Sequence, residues 1–333
     1  MLMEKEYRDT VNRLAFAMLT FEGLFFLGRF VNTLVHILTA SIPIVIVGTL
    51  VYELCYGLVY AGVFALPVLF FRLFSGHKTT QRMYMEFKLP RESVLYIFAA
   101  LAMISAAVYV NSFMVDLIEI NVAVEEVVSH PVVTSNYEMV LMVIIVAVVP
   151  AFVEELLFRG MILTNLLPYG RTTAVLASAL LFGLMHQNIG QIFYTTVGGL
   201  VLGFIYVKTR SIWVGVLIHF VNNFISVIQD VISERLTQFN VNLVLGLMEG
   251  VIFALGIVSA VILLHRAEDH RTALFTDGCF ELDLPADPDY AGEVIPFGRR
   301  VRLFFTVPMI VFVVICIAQM FSLFAIIESF LWG

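Results

Sequence analysis

Two adjacent glutamates, Glu154 and Glu155, lie in the middle of a hydrophobic stretch at residues 138–165. A charged side chain at the centre of a bilayer costs about 2.5–3.5 kcal/mol on insertion scales, so such residues commonly have a function. Arg159 follows Glu155 by four residues, which places both on one helical face where they can form an ion pair. Glu154 lies about 100° further round the helix and is left without that partner. It could serve as a general base or acid, whereas a structural polar cluster that joins helices is the alternative interpretation.

Imidazole and amide side chains occur in the hydrophobic stretches that follow. His186 comes one helical turn after Phe182, and Asn223 comes one turn after His219, so each pair shares a face. Each group alone is compatible with ordinary packing or an interhelical hydrogen bond. Together, Glu154, His186 and His219 could bind a divalent metal such as Zn²⁺ and leave one position for water. In the other route, Glu154 activates water directly while histidine and asparagine donate to an oxyanion. Both routes lead to amide hydrolysis in a water-poor site.

Membrane helices must position these groups. The chain has 333 residues, of which 60% are hydrophobic and only 14% are charged, whereas a soluble domain carries about 25% charged residues. A membrane helix needs about 20 mostly apolar residues. We therefore predict an all-α, polytopic transmembrane helix bundle of about eight or nine spans. The candidate spans are 14–38, 41–72, 93–116, 138–165, 172–188, 190–207, 211–230, 243–264 and 302–330.

Three of these spans are unusual. The first contains Glu22 and Arg29, which weaken it, so it could instead lie in the membrane interface. The spans at 172–188 and 190–207 are short and rich in glycine, and small residues permit close approach between membrane helices. The glycines in these two spans are Gly183, Gly190, Gly198, Gly199 and Gly203.

Basic residues predict the orientation. With nine spans, almost all of the 19 Lys and Arg residues fall on one side of the membrane. Only Arg235 falls on the other side, while Arg29 and Arg159 lie within spans. Because cytoplasmic loops are enriched in Lys and Arg, we expect this side, including the N-terminus, to be cytoplasmic. The acidic segment 265–298 then forms a cytoplasmic loop, for which we expect a solvated connector rich in turns.

Composition excludes several classes of function. The net charge of −7 argues against a nucleic-acid partner, which would call for a basic patch. The three cysteines are far apart and have no CxxC spacing, so we predict neither a disulfide framework nor a thiolate zinc site.

Three short motifs, each in its own predicted span and in this order, resemble the CAAX-protease and bacteriocin-processing family of intramembrane proteases. This family includes the type II CAAX prenyl endopeptidases. The resemblance covers about residues 138–230. The motifs are Glu154-Glu155-Leu-Leu-Phe-Arg159, Phe182-Gly-Leu-Met-His186 and His219-Phe-Val-Asn-Asn223.

The resemblance implies a set of roles. Glu154 would activate the attacking water, assisted by His186, His219 and Asn223. Whether a metal takes part is left open, because the family has been described both as metalloproteases and as glutamate-dependent. The substrate would be a membrane-embedded or lipid-anchored peptide or protein, and the compact chain resembles bacterial members located in the cell membrane. The residues that would support the helix geometry are Glu155, Arg159 and Phe182.

We therefore expect an intramembrane endopeptidase with its catalytic helices at 138–230. The helices at 1–137 and 231–333 are not explained by the resemblance. One alternative is a non-proteolytic membrane scaffold or immunity factor on the same fold. A second is a proton-coupled transporter, because intramembrane carboxylates also serve in proton relays.

Overall fold

The computed structural model describes residues 2–42, 44–75, 85–118, 136–269 and 295–321. Within these ranges the chain forms helices and no β-strand, which confirms the predicted all-α class. Most of the acidic segment 265–298 lies outside the described residues. The helices are α1 (Leu2–Ala40), α2 (Val45–Phe74), α3 (Ser93–Ile118), α4 (136–169), α5 (Arg171–Met185), α6 (Ile192–Thr209), α7 (Ile212–Arg235), α8 (Gln238–Asp269), α9 (Phe297–Phe304) and α10 (Val307–Met320).

Seven of the helices in the described ranges are long and apolar enough to cross a membrane. Helices α9 and α10 meet at a bend of 71° and provide an eighth span if they are counted as one. Helix α5 has only 15 residues, which is about 22 Å of helix and less than the roughly 30 Å of a bilayer core. The polytopic bundle is thus confirmed, and the described ranges contain seven or eight spans where eight or nine were predicted for the chain.

Helix α4 carries both glutamates and changes its winding on either side of them. Val143–Val148 and Leu156–Leu163 are π-helical, and the α-helical turns Val149–Glu155 lie between them. Such π-turns are rare, disturb the regular hydrogen-bond ladder, and often occur at functional sites. The glutamates therefore lie on a short α-helical piece that has an irregular backbone at both ends.

Side chains satisfy carbonyl groups in the second π-helical stretch. Thr164 donates its hydroxyl to the carbonyl of Arg159 at 2.7 Å, and Ser178 of α5 donates to the carbonyl of Phe158 at 3.0 Å. These bonds are buried, where an unpaired carbonyl would be costly. Threonine and serine therefore stabilise the irregular winding.

Helices α5 and α6 form a hairpin in which small residues allow close contact. A Cβ atom added to Gly199 would lie 2.9 Å from the Cα atom of Ala179, and one added to Gly203 would lie 3.3 Å from Val175. The prediction that glycines permit close approach is confirmed at these positions. The hairpin places His186 directly after the last residue of α5, at its tip.

The remaining helices surround α4 and the hairpin. Helices α2 and α7 contact α4, while α3 packs against α6 and α8. Helix α1 contacts α2 and α10. The side chain of Glu22 in α1 is only 2% exposed within this packing. Neighbouring helices therefore enclose its carboxylate, and α1 is among the helices that are long and apolar enough to cross a membrane.

Candidate active site

Glu155 and Arg159 form a fully buried ion pair. Arg159 Nη1 lies 2.7 Å from Glu155 Oε1, and Arg159 Nη2 donates to the carbonyl of Gly199 at 3.1 Å. The pair that the four-residue spacing predicted is thus confirmed. On α7, a Cβ atom added to Gly215 would lie 2.8 Å from Glu155 Oε2. Glycine at this position leaves the space that the carboxylate occupies.

Glu154 is 4% exposed and has a partner on another helix. The hydroxyl of Tyr60 in α2 donates a hydrogen bond to Glu154 Oε1. The expectation that Glu154 is left without a partner is therefore wrong. The reason is that the partner comes from a different helix, which the spacing within α4 does not describe.

Tyr60 belongs to an aromatic row on α2 that the sequence contains but whose importance was missed. Tyr52, Tyr56, Tyr60 and Phe64 recur every four residues and thus share one face of the helix. Ring centroids of Tyr56 and Tyr60 are 6.4 Å apart, and those of Tyr60 and Phe64 are 4.8 Å apart. The row indicates a packed face, but only contact with α4 identifies Tyr60 as part of the site.

His219 lies between the two glutamates. Its Nδ1 atom is 3.1 Å from Glu155 Oε1, and its Nε2 atom is 3.8 Å from Glu154 Oε2. Because an ionised carboxylate only accepts hydrogen bonds, Nδ1 must carry a proton and Nε2 faces Glu154. Glu154 Oε2 is buried and accepts no hydrogen bond from the described part of the chain. One oxygen of Glu154 is thus held by Tyr60, and the other faces an imidazole.

His186 is fixed by the end of its own helix. Its Nδ1 atom lies 2.9 Å from the carbonyl oxygen of Phe182, and a carbonyl only accepts, so Nδ1 carries a proton. Both histidines therefore have Nε2 as the ring nitrogen that can gain or lose a proton. His186 also interacts electrostatically with Glu154 and His219.

The ring of Phe182 contacts both histidines and the guanidinium of Arg159. It makes edge contacts with His186 and His219, at centroid distances of 5.1 and 5.9 Å. The guanidinium of Arg159 lies 4.8 Å from the same centroid, a distance typical of a cation–π contact. Phe182 thereby connects the predicted supporting residues of α4 to both histidines.

Asn223 binds the backbone of α4 in this structure. Its Nδ2 atom donates to the carbonyl of Val146 at 3.1 Å. Four residues beyond Val146 stands Pro150, which has no N–H to complete the usual helical bond. The amide of Asn223 thus connects α7 to α4 two turns before Glu154, and its predicted catalytic role stays a prediction.

Glu154, His186 and His219 are the predicted metal ligands. Across the described ranges, no group of three or more His, Cys, Asp or Glu side chains is arranged so that it could hold a metal ion. The three side chains do not fit a metal in this arrangement. The involvement of a divalent metal such as Zn²⁺ stays a prediction.

Comparison with known protein families gives a match over the segment that carries the three motifs. Residues 136–225 match the family described as "Type II CAAX prenyl endopeptidase Rce1-like". All seven residues of the three motifs fall within that segment.

A protein of Bacillus subtilis (strain 168) named "Putative membrane peptidase YdiL" is 32% identical over 93 residues, which is 27% of this chain. The matched region spans only 37% of the length of that relative. No solved structure gives a significant match. The family match and this relative confirm, for residues 136–225, the resemblance of this integral membrane protein to the CAAX-protease and bacteriocin-processing family.

Proposed function

We propose that the chain is a membrane peptidase, and that Glu154 is the base that activates water for peptide-bond hydrolysis. The observation that carries the proposal is the environment of Glu154 Oε2. It is buried, and it faces Nε2 of His219 at 3.8 Å. The neighbouring Glu155 already has a cation as its partner. Glu154 is therefore the carboxylate of the pair that is available to accept a proton.

The proposed reaction follows from these positions. Glu154 Oε2 takes a proton from water as the water oxygen attacks the carbonyl carbon of the peptide bond. The carbonyl becomes a tetrahedral oxyanion, which a donor side chain must stabilise. The C–N bond then breaks, and the proton passes from Glu154, through Nε2 of His219 or directly, to the leaving amine. The products are a carboxylic acid and an amine, so the atoms of one water molecule are accounted for.

Neighbouring groups prepare Glu154 for this step. The hydroxyl of Tyr60 bonds Oε1, which leaves Oε2 as the basic oxygen. Glu155 orients the imidazole of His219 through Nδ1, as a carboxylate does for histidine in other hydrolases. Asn223, and His186 when its Nε2 atom also carries a proton, are the proposed stabilisers of the oxyanion, in line with the assisting roles that the family resemblance implies.

The substrate is proposed as a membrane-associated peptide or protein. Prenylated CAAX proteins, lipoprotein-like peptides, leader peptides and membrane regulators are the candidate classes. A Glu154→Gln variant should retain bound substrate, and crosslinking followed by proteomics would then identify the substrate class. Proteins of one class that are crosslinked more to the variant than to the wild-type protein would identify the substrate class.

The proposed base is tested in proteoliposomes with a set of lipid-anchored and transmembrane quenched-fluorescent peptides. Glu154→Gln keeps the shape of the side chain and removes the base, so we expect at least a roughly 100-fold loss of hydrolysis. Glu249→Gln is the matched control, because Glu249 is a partly buried carboxylate on α8, which contributes no residue to the proposed site. Hydrolysis by Glu154→Gln at the wild-type rate would rule out the base.

The catalytic type is tested on the same peptides. Metal analysis of the purified protein and treatment with a chelator separate a metallopeptidase from a glutamate peptidase. Loss of hydrolysis on chelation, restored by Zn²⁺, would assign a metal role. Unchanged hydrolysis by metal-free protein would support direct activation of water by Glu154.

A further inference from the structure

A second buried carboxylate lies outside the site described above. Glu22, in the middle of α1, accepts hydrogen bonds at both oxygens. Gln187 Nε2 lies 2.9 and 3.0 Å from the two oxygens, and Gln319 Nε2 lies 3.0 Å from Oε2. The thiol of Cys316 lies 3.4 Å from Oε1. In the described ranges Glu22 has no cationic partner, so neutral donors from α10 and from the α5–α6 turn hold it.

Gln187 has an unusual backbone conformation. Its φ angle is +52°, in the left-handed region that residues with side chains rarely adopt. At the end of a helix this conformation is usually supplied by glycine. A glutamine at this position therefore indicates that its side chain is needed. That side chain makes the pair of hydrogen bonds to Glu22.

Gln187 directly follows His186. The ring of His186 bonds back to Phe182, in the last turn of α5. The position of the imidazole therefore depends on how this last turn is held relative to the other helices. Glu22 holds it from α1, and α1 contacts α10 as well.

We propose that Glu22 and Gln187 form a clamp that positions His186 for the reaction. This inference rests on the proposed function. Glu22 lies on α1, and its further donors Cys316 and Gln319 lie on α10. Both helices are outside the segment 136–225 that matches the family. The catalytic geometry of this chain thus depends on helices beyond its family-like core. Glu22 is a positioning residue, because it acts through Gln187 and His186 and not on the substrate.

The first test uses Glu22→Gln, which is nearly isosteric. We expect kcat on the best peptide of the set to fall about 10- to 100-fold, the range for a displacement near 1 Å of a catalytic group. We expect KM to stay within about twofold, since a displaced His186 affects the reaction more than binding. The exchanged pair Glu22→Gln/Gln187→Glu restores one amide and one carboxylate, so kcat should return to within a few-fold of wild type.

A second variant separates the clamp from the backbone strain. Gln187→Gly removes the side chain but suits the left-handed conformation. The fold should therefore be retained, while the clamp is lost and kcat falls as in Glu22→Gln. Glu249→Gln on α8 is the control and should leave kcat unchanged.

Hydrogen–deuterium exchange over residues 183–192 provides a measurement that does not require activity. Exchange should be faster in Glu22→Gln and Gln187→Gly, and should return to wild type in the exchanged pair. If wild-type protein cleaves none of the peptides, the proposed peptidase function fails while the exchange data still decide the clamp. Wild-type exchange and kcat in Gln187→Gly would overturn the inference, as would failure of the exchanged pair to restore either quantity.

Discussion

Two carboxylate clusters lie in the apolar interior of this bundle, and their charges are balanced in different ways. The first contains Glu154, Glu155 and Arg159, where the guanidinium pairs with Glu155 and a tyrosine hydroxyl bonds Glu154. The second is centred on Glu22, which accepts only from neutral donors in the described ranges. Arg159 pairs with Glu155, so Glu154 is the carboxylate that we propose is available for chemistry. Neutral donors hold Glu22, which we propose is a positioning residue only.

The backbone around the two clusters differs as well. The first lies between two π-helical stretches of one helix. The second joins α1, α10 and the turn at Gln187, whose φ angle is left-handed. The three residues of the first cluster therefore lie on one irregularly wound helix, whereas the second cluster joins three separate segments. Substitutions in the two clusters should differ in cost and in what they disturb.

The largest difference in stability between the two clusters should come from removing the cation that pairs with Glu155. Arg159→Met leaves Glu155 buried without its cation, which should cost about 3–5 kcal/mol of stability. Gln319→Leu removes one neutral donor from Glu22 and should cost only about 1–3 kcal/mol. Unfolding in detergent–SDS mixtures measures both. The double variant Glu155→Met/Arg159→Met should recover most of the loss, and equal costs for both single variants would contradict the comparison.

A smaller loss of stability should come from filling the space next to Glu155. Gly215→Ala places a Cβ atom at 2.8 Å from Glu155 Oε2, and such overpacking typically costs about 1–3 kcal/mol. The shift should also reach His219, so hydrolysis should fall with stability. Gly250→Ala in α8 is the control, because nothing lies within 4 Å of its added Cβ. If Gly215→Ala changed neither stability nor hydrolysis, the Glu155–Arg159 pair would have space to shift.

Loss of the hydroxyl that bonds Glu154 should have an effect of similar size. Tyr60→Phe removes one hydrogen bond to a carboxylate, and bonds to charged groups contribute about 1.5–3 kcal/mol at most. Peptide hydrolysis should fall, but less than in Glu154→Gln, because the base remains. Tyr56→Phe, one turn away on the same face of α2, is the control. A loss as large as that of Glu154→Gln would assign Tyr60 a direct catalytic role.

The smallest effect on stability should come from the amide between α7 and α4. Asn223→Leu removes the bond to Val146, and hydrogen bonds between membrane helices average about 0.6 kcal/mol. If Asn223 also stabilises the oxyanion, kcat should fall far more than this stability change predicts. Equal, small losses in both measurements would limit Asn223 to its structural role.

Much of the fold and of the site could be predicted from sequence because both depend on local periodicity. Apolar stretches of helical length indicated the bundle, and the four-residue spacing indicated the Glu155–Arg159 pair. The motif residues Phe182 and His186 were expected on one face, and they are in ring contact. Tyr60 was missed, since nothing in its aromatic row distinguishes a packing residue from a partner of Glu154.

Residue types and spacing determined by themselves which groups share a helical face and which segments are apolar enough for a membrane. Tertiary structure alone decided that Glu154 meets Tyr60, that Asn223 meets Val146, and that Glu22 meets a glutamine 165 residues away. The physical reason is that periodicity orients side chains within one helix, whereas apolar faces carry little information about which other helix they contact. Partners of buried polar groups are therefore chosen by the packing of the whole bundle.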